Sequence, residues 1–210
     1  MNNWLASWKR FAAIAVVPVI TSVVLLIVSA SEEFSERSVA ASLLILGFAV
    51  FGVSGMLFTG RAIWKWPIGQ TAAYLRWERS FVIAAVLATA LGLTLLEDML
   101  DEAGASGFAP VSLVTYLIGA VVLVVAETTF LSSRDWVYSQ VVIYVVLAFL
   151  AQAGFGVCLL QTGLVAEWVG WLTIVWNLGW LVVLSLASPR NVYYPAFHHA
   201  APLLIGLSLL

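Results

Sequence analysis

Charged residues are scarce in this sequence: they make up 10% of its 210 residues, whereas 63% are hydrophobic. Soluble domains usually carry about a quarter charged residues. The chain therefore has too few polar side chains to cover a water-facing globule, which excludes an ordinary soluble domain. Hydrocarbon must then be the solvent for most of the surface, and we expect a single integral membrane domain over residues 1–210.

Cysteine and the common catalytic motifs are equally sparse. The single cysteine, Cys158, excludes an internal disulfide, and its place in an apolar run indicates a small packing residue. The sequence contains no HExxH, GxSxG, CxxC or Gly-rich phosphate loop, and the acids at 97–102 lack the spacing of an EF-hand. We therefore predict no metal, no cofactor and no nucleic-acid binding, and leave open whether the chain is an enzyme.

What the sequence has instead is a series of long apolar runs. A helix needs ~20 mostly apolar residues to cross a bilayer. The first run is too long for the apolar core of a cleaved signal peptide, so we take it as a span. We predict an all-α polytopic bundle with six full spans. They lie at about residues 11–30, 39–59, 80–96, 111–132, 137–160 and 168–187.

A further apolar segment, 200–210, is too short to cross. Its helix would rise ~16 Å, against a hydrocarbon core of ~30 Å. We predict a short helix that begins near Pro202, a residue that suits a first helical turn. Three arrangements stay open: the segment lies at the interface, tucks against the bundle, or is a truncated seventh span.

The basic residues predict the orientation. Cytoplasmic loops of membrane proteins carry an excess of Lys and Arg. Under six crossings only Arg37 falls on the side opposite the N-terminus, where most acids lie. We therefore predict a cytoplasmic N-terminus in the plasma (inner) membrane. The basic residues on the N-terminal side are Lys9, Arg10, Arg61, Lys65, Arg76, Arg79, Arg134 and Arg190.

Glu127 is the one ionisable residue that we expect inside an apolar run. A carboxylate there would pair with a basic residue of the N-terminal side such as Arg134, or bond in its protonated form to a neighbour such as Gln140 or Tyr144. The alternative is a proton or cation site, because ionisable groups within spans are functional candidates. Small residues on its helical face predict contact with another helix. That face comprises Leu123, Ala120, Gly119 and Tyr116.

Two amides lie at nearby depths in consecutive spans. Gln152 and Asn177 need hydrogen-bond partners in hydrocarbon, so we expect them to bond to each other or to the backbone. Alternatively, together with Trp176 and Trp180, they line a pocket between helices for a small ligand. Gln140 and Tyr144 are further candidate ligand-binding residues.

His198 and His199 follow the last predicted span, and we expect them to anchor the chain at the cytoplasmic interface. The functional alternative adds Glu127 to form an acid–base or metal site. That site requires the tail to fold back against the predicted fourth span.

The segment 60–79 combines cations with tryptophans. Basic residues beside a membrane are attracted to anionic lipids by about 1 kcal/mol each. We therefore predict that this segment lies at the membrane surface. Its candidate lipid-contacting residues are Trp64, Lys65, Trp66, Arg76, Trp77 and Arg79.

Several runs carry a resemblance: LRWERSFVIAAV, LGLTLLED, VAETTFLSSRDWVY, GWLTIVWNLGWLVVL and the ending YYPAFHHAAPLLIGLSLL. They resemble uncharacterised bacterial multi-pass inner-membrane proteins. The resemblance implies a helical inner-membrane protein, no known activity and no functional residues. Chains of that family tend to continue past the final LL, which favours the truncated seventh span.

Three functions remain as hypotheses. The leading one is a membrane protein that binds or transports a small apolar or amphipathic ligand within the bundle. The alternatives are an intramembrane enzyme that uses Glu127 with His198 and His199, and a structural or accessory subunit. Membrane lipids are the expected partners, and a homo-oligomer is left open.

Overall fold

The computed structural model describes residues 35–105, 107–133, 138–187 and 195–210. These residues form helices and connecting turns, and no strand occurs among them. The predicted first span, 11–30, lies outside the described residues. The helices are α1 (Glu36–Ala62), α2 (Ala72–Glu102), α3 (Phe108–Ser133), α4 (Tyr138–Thr162), α5 (Glu167–Ala187), α6 (Pro195–His198) and α7 (Ala200–Leu209).

The first five of these helices are long and apolar enough to cross a membrane. Large apolar side chains such as Val121 and Val175 are exposed on them, as hydrocarbon-facing residues would be. The all-helical class is confirmed and is consistent with a multi-pass membrane bundle. The described part of the chain contains five candidate spans, whereas the sequence predicted six over the whole chain.

Helix α2 is much longer than the predicted span at 80–96. Thr71 caps it: its side chain accepts a hydrogen bond from the backbone N–H of Tyr74. The helix ends before Gly104, whose φ of +101° favours glycine. Most of the second half of the predicted 60–79 loop is therefore helical, because polar residues at both ends extend the helix beyond its apolar centre.

Glycines allow consecutive helices to approach closely. A Cβ added at Gly92 of α2 would lie 2.9 Å from the Leu44 side chain of α1. Between α4 and α5, a Cβ added at Gly156 would lie 3.0 Å from the carbonyl oxygen of Gly170. Both contacts join helices that follow one another in the chain and run antiparallel. We call the end where α1, α3 and α5 finish the basic end, and the opposite end the acidic end.

Helix α7 packs inside the bundle against α1. A Cβ added at Gly206 would lie 2.9 Å from the Ala41 carbonyl oxygen. Arg37 Nε donates to the Leu209 carbonyl oxygen at 2.8 Å. The segment therefore tucks against the bundle, one of the three predicted arrangements, and does not lie at the interface. Pro202 stands in the first turn of α7, as predicted.

A break at His199 separates α6 from α7. Pro202 has no N–H to donate to the carbonyl of His198, four positions earlier, and its ring crowds that carbonyl. The chain therefore cannot run as one regular helix through this point. As a result, His198 and His199 lie at the junction of two short helices in the middle of the bundle.

Candidate functional site

Four charged side chains form a buried network near the basic end. They alternate in sign, with two arginines and two glutamates, so that the formal charges cancel. Glu78 is fully buried, and Arg79 and Glu127 are almost so, whereas Arg61 is partly exposed. Buried charges are tolerated only when they are paired and hydrogen-bonded. The network is ordered Arg61, Glu78, Arg79, Glu127.

The guanidinium of Arg61 binds Glu78 with two hydrogen bonds. Its Nε donates to Oε2 and its Nη2 to Oε1, both at 2.8 Å. This is the forked geometry that arginine offers a carboxylate and lysine cannot. Because Arg61 lies in the last turn of α1 and Glu78 in the second turn of α2, the pair ties the two helices together at the basic end.

Arg79 connects the network to α3. Its Nη2 lies 3.1 Å from Glu78 Oε1, and its Nη1 donates to both carboxylate oxygens of Glu127 at 3.1 Å. The guanidinium carbon also lies 4.8 Å from the centre of the Phe130 ring, within the range of a cation–π contact. Three helices, α1, α2 and α3, therefore meet through one chain of ion pairs.

This network confirms one expectation about charge and corrects another. Glu127 pairs with Arg79, a basic residue of the N-terminal side, as expected of such a carboxylate; Arg134, the example given, lies outside the described residues. Glu127 is not the only ionisable residue within the bundle, because Glu78 and Arg79 are buried on α2. The helical face predicted for Glu127 is confirmed as buried: Tyr116, Gly119, Ala120 and Leu123 all face other helices.

Of the six residues predicted to contact lipid, four are exposed and two are buried. Trp64, Lys65, Arg76 and Trp77 are exposed. Arg79 is 3% exposed and so cannot contact lipid headgroups. Trp66 is also buried, in a small cluster that includes Val53, Leu57, Ile68 and Tyr74. The expectation for Arg79 and Trp66 is therefore wrong.

A second polar centre surrounds His198 in the middle of the bundle. Tyr144 Oη lies 2.6 Å from His198 Nε2, and Gln152 Nε2 lies 3.2 Å from His198 Nδ1. An amide nitrogen can only donate, so Nδ1 accepts from Gln152. The neutral ring then carries its proton on Nε2 and donates it to Tyr144. Both helix α4 residues thus fix one tautomer of His198.

His199 lies directly beside this bonded ring. The two imidazole centroids are 4.0 Å apart, and His199 also stacks on Phe51 of α1, with 4.3 Å between the ring centroids. His199 is fully buried, yet neither its Nδ1 nor its Nε2 has a hydrogen-bond partner among the described residues. Buried polar atoms in folded proteins rarely lack a hydrogen-bond partner, and each exception requires an explanation.

Other polar groups lie at the same level of the bundle. The hydroxyl of Tyr116 is buried beside Tyr144 and Thr89. Gln152 Oε1 is a further buried acceptor without a partner among the described residues. We call Tyr116, Tyr144, Gln152, His198 and His199 the histidine centre. The expected interfacial position of the two histidines is wrong, because both are fully buried.

Asn177 and Gln152 lie at nearly the same depth, as the sequence predicted. Gly156 of α4 contacts Ile174 of α5, so one turn along each antiparallel helix brings the two amides level. They do not bond to each other. Asn177 Nδ2 donates to the carbonyl of Thr173 in its own helix at 2.7 Å, and Gln152 bonds to His198.

The two tryptophans of α5 hold α6 in place. Trp176 Nε1 donates to the Phe197 carbonyl oxygen at 2.7 Å. The ring of Trp180 stacks on that of Phe197, with 4.0 Å between centroids and 14° between planes. The structure therefore brings Trp176 and Trp180 to the residue that precedes His198 and engages them with Phe197. Their predicted role as pocket walls stays a prediction.

The two centres are separate. His198 contacts Tyr116 on α3, so the tail does fold back against the predicted fourth span. Glu127 follows Tyr116 by 11 positions on the same helix, which corresponds to ~16 Å. Glu127 is moreover held by Arg79 and does not join the histidines in one site. Among the described residues, no group of three or more His, Cys, Asp or Glu could hold a metal ion.

Sequence reasoning named every member of the histidine centre but missed the inward-facing charges of α2 in the charge network. Glu78 and Arg79 were assigned to a loop because the apolar run begins only at residue 80. Tyr74, Glu78 and Val82 recur at intervals of four, and this helical spacing could have revealed their common inward face. Nothing in the sequence predicted that Trp176 and Trp180 would contact Phe197.

Comparisons with known proteins do not indicate a function for this chain. No protein-family model, no curated protein and no solved structure matches this chain. The resemblance to bacterial inner-membrane proteins therefore stays a prediction.

Proposed function

We propose that this protein binds a small neutral, hydrogen-bonding ligand at the histidine centre, within a multi-pass membrane bundle. The observation that carries the proposal is His199, a fully buried imidazole with no hydrogen-bond partner for either nitrogen among the described residues. A neutral imidazole offers one donor and one acceptor. A ligand group that both donates and accepts, such as a hydroxyl, complements it.

The surroundings favour a neutral ligand. Aromatic rings adjoin the histidines: Phe51 stacks on His199, and Phe149 lies edge-on to His198. Among the described residues, the buried charges of Glu127 and Arg79 pair with each other. A net charge at the centre of a bilayer is costly, by at least ~2.5 kcal/mol on insertion scales. The ligand is therefore a small uncharged amphipathic molecule of the kind that partitions into bilayers.

We further propose that the basic end faces the cytoplasm of a cell bounded by a plasma (inner) membrane. Among the described residues, Arg61, Lys65 and Arg76 lie at the basic end, whereas Arg37 lies at the acidic end. This distribution supports the positive-inside orientation inferred from the whole sequence. Under this orientation the charge network occupies the cytoplasmic third of the bundle.

The proposal can be tested by nitrogen NMR, because the chain has only two histidines. Protein labelled with 15N-histidine in lipid nanodiscs is titrated with 1-hexanol, hexanoate and hexylammonium. We expect hexanol to shift the His199 signals in a saturable manner. Hexanoate and hexylammonium should bind about tenfold more weakly or not at all, because their charges oppose transfer into the bundle.

The control variant is His199→Phe, which preserves a ring that can stack on Phe51 but removes both nitrogens. It should remain folded and lose saturable hexanol binding, as followed at the His198 signals. If hexanol shifts neither histidine in the native protein, or binds equally well to the variant, the ligand-binding proposal is wrong. An accessory or structural role would then be favoured.

A further inference from the structure

Three buried side-chain oxygen atoms on α4 and α5 have no hydrogen-bond partner among the described residues. They are Gln152 Oε1, Thr173 Oγ1 and Asn177 Oδ1. All three residues are fully buried. Folded proteins rarely leave buried polar atoms unpaired, because an oxygen that has lost its water and gained no other donor costs free energy. Three such atoms on two neighbouring helices indicate a partner that they share.

The packing of α4 on α5 brings these side chains to one part of the helix interface. A Cβ added at Gly156 of α4 would lie 3.1 Å from the backbone nitrogen of Ile174 of α5. From this contact, one turn toward the basic end leads to Gln152 on α4 and to Asn177 on α5. Asn177 Nδ2 donates to the carbonyl oxygen of Thr173 at 2.7 Å, so its amide lies against the turn that carries the Thr173 hydroxyl.

The existing hydrogen bonds determine what each oxygen requires. The partner of Asn177 Nδ2 is a carbonyl, which only accepts, so the nitrogen donates and Oδ1 is left as an acceptor. Gln152 Nε2 is engaged with His198 Nδ1, which leaves Oε1 likewise as an acceptor. The hydroxyl of Thr173 can both donate and accept. The shared partner must therefore supply two hydrogens and can accept one.

We propose that one water molecule is bound between α4 and α5, where it donates to Gln152 Oε1 and Asn177 Oδ1 and accepts from the Thr173 hydroxyl. Buried waters typically make about three hydrogen bonds to polar groups that are otherwise unpaired. An alcohol carries one hydroxyl hydrogen and would leave one amide oxygen without a donor. An ammonium ion has enough hydrogens, but its charge in the middle of a bilayer is costly.

This water makes Gln152 a positioning residue for His198. With Oε1 held by the water, the amide nitrogen faces His198 Nδ1, and the imidazole keeps its proton on Nε2. If the amide turned over, its oxygen would face Nδ1 and favour a proton there, and Tyr144 would then donate to Nε2. The water thus connects α5 to the histidine centre. It is distinct from the ligand proposed at His199 and does not depend on it.

A crystal structure of the full-length protein, grown in a lipidic mesophase and resolved well enough to show ordered waters, tests the site. We expect one water within hydrogen-bond distance of all three oxygens. Thr173→Val, which removes only the hydroxyl, should lower the occupancy of this water about twofold or more, because it loses one of its three hydrogen bonds. Thr173→Ser is the matched control, since it keeps the hydroxyl and should keep the water.

The positioning role has its own readout in 15N-histidine NMR of the protein in nanodiscs. Asn177→Leu replaces the amide by an apolar side chain of similar size and should displace the water. The ratio of Nε2-protonated to Nδ1-protonated His198 should then fall about tenfold, because Gln152 Oε1 has lost its donor. Thr173→Ser should leave this ratio at its native value.

Two results would overturn the water site. One is a native structure in which Gln152 and Asn177 bond directly to each other, or in which no density lies within hydrogen-bond distance of both amide oxygens. The other is density for a larger molecule that reaches these atoms. If Asn177→Leu does not fold, the same ratio is measured in Thr173→Val, where it should fall in proportion to the loss of water. A His198 tautomer that stays unchanged after the water is lost would overturn the positioning role.

Discussion

One nitrogen of Arg79, Nη1, donates to both carboxylate oxygens of Glu127, 3.1 Å away on a different helix. This contact joins α2 to α3 in a part of the bundle where both side chains are almost fully buried. Because Glu78 separates Arg79 from Arg61, removal of either end of the network leaves an uncompensated charge inside.

We expect Glu127→Ala to destabilise the protein by about 3–5 kcal/mol, because it leaves a buried positive charge in excess. The double variant Arg79→Met, Glu127→Leu removes one charge of each sign and leaves the Arg61–Glu78 pair intact. It should be much closer to the native protein in stability, as apolar replacements of buried ion pairs often are. Thermal unfolding in detergent measures both, with the exposed Glu102→Ala as control. A double variant as unstable as Glu127→Ala would contradict the role of the pair.

Arg61→Lys tests the forked contact with Glu78. Lysine keeps the charge but cannot reproduce two parallel hydrogen bonds at 2.8 Å. We expect a loss of stability on the order of 1–2 kcal/mol, since hydrogen bonds to charged groups are among the stronger ones. The exposed Arg76→Lys should have no measurable effect under the same conditions. Equal melting temperatures for the two variants would show that the fork contributes nothing.

Gly206→Ala tests the docking of α7 on α1. The new methyl group would lie 2.9 Å from the Ala41 carbonyl oxygen, a backbone atom that cannot rotate away. We expect a destabilisation of about 1–3 kcal/mol from this overpacking. Gly52→Ala is the control, because nothing lies within 4 Å of a Cβ there. The docked position of α7 would be wrong if both substitutions were tolerated equally.

Tyr144→Phe removes the oxygen that accepts the proton of His198. The imidazole N–H would then be buried without a partner, at a cost of about 1–3 kcal/mol. The 15N signal of the protonated His198 nitrogen should shift, and thermal stability should fall. Tyr138→Phe, at the exposed start of the same helix, should change neither. An unaltered His198 signal in Tyr144→Phe would contradict the bond.

The two ends of the bundle should face opposite sides of the membrane. In a Cys158→Ala background, we expect Lys65→Cys and Glu102→Cys to react with membrane-impermeant maleimides from opposite sides. The cytoplasmic side should be that of residue 65, because basic loops remain inside. Labelling of both positions from one side would show that α2 does not cross.

Local patterns in the sequence predicted the helices and their inward faces well. The buried face around Glu127 followed from the spacing of Gly119 and Tyr116, because the period of a helix is a property of the chain itself. The level pairing of Gln152 with Asn177 followed likewise from short turns and antiparallel neighbours. Helix ends were less accurate: α2 extends well beyond its apolar run because capping residues, and not hydropathy, determine where a helix starts.

Partners across the bundle could not be predicted. A basic partner was expected for Glu127, but the sequence did not identify Arg79 of α2 as that partner. The sequence predicts the histidines at the surface because they follow the last full apolar span. Their actual position depends on the packing of α7 against α1, which is determined by Gly206 and its neighbours in space and leaves no local signal.

The most direct test is whether the two imidazoles lie in the interior of the bundle. In 15N-histidine NMR of the protein in nanodiscs, a water-soluble paramagnetic gadolinium chelate should broaden neither histidine. Both rings should also keep neutral spectra when the pH is lowered from about 7.5 to about 5.5, since a charge at mid-bilayer depth is costly. Broadening by the chelate together with titration near the usual midpoint of ~6.5 would place the histidines at the surface and contradict the histidine centre.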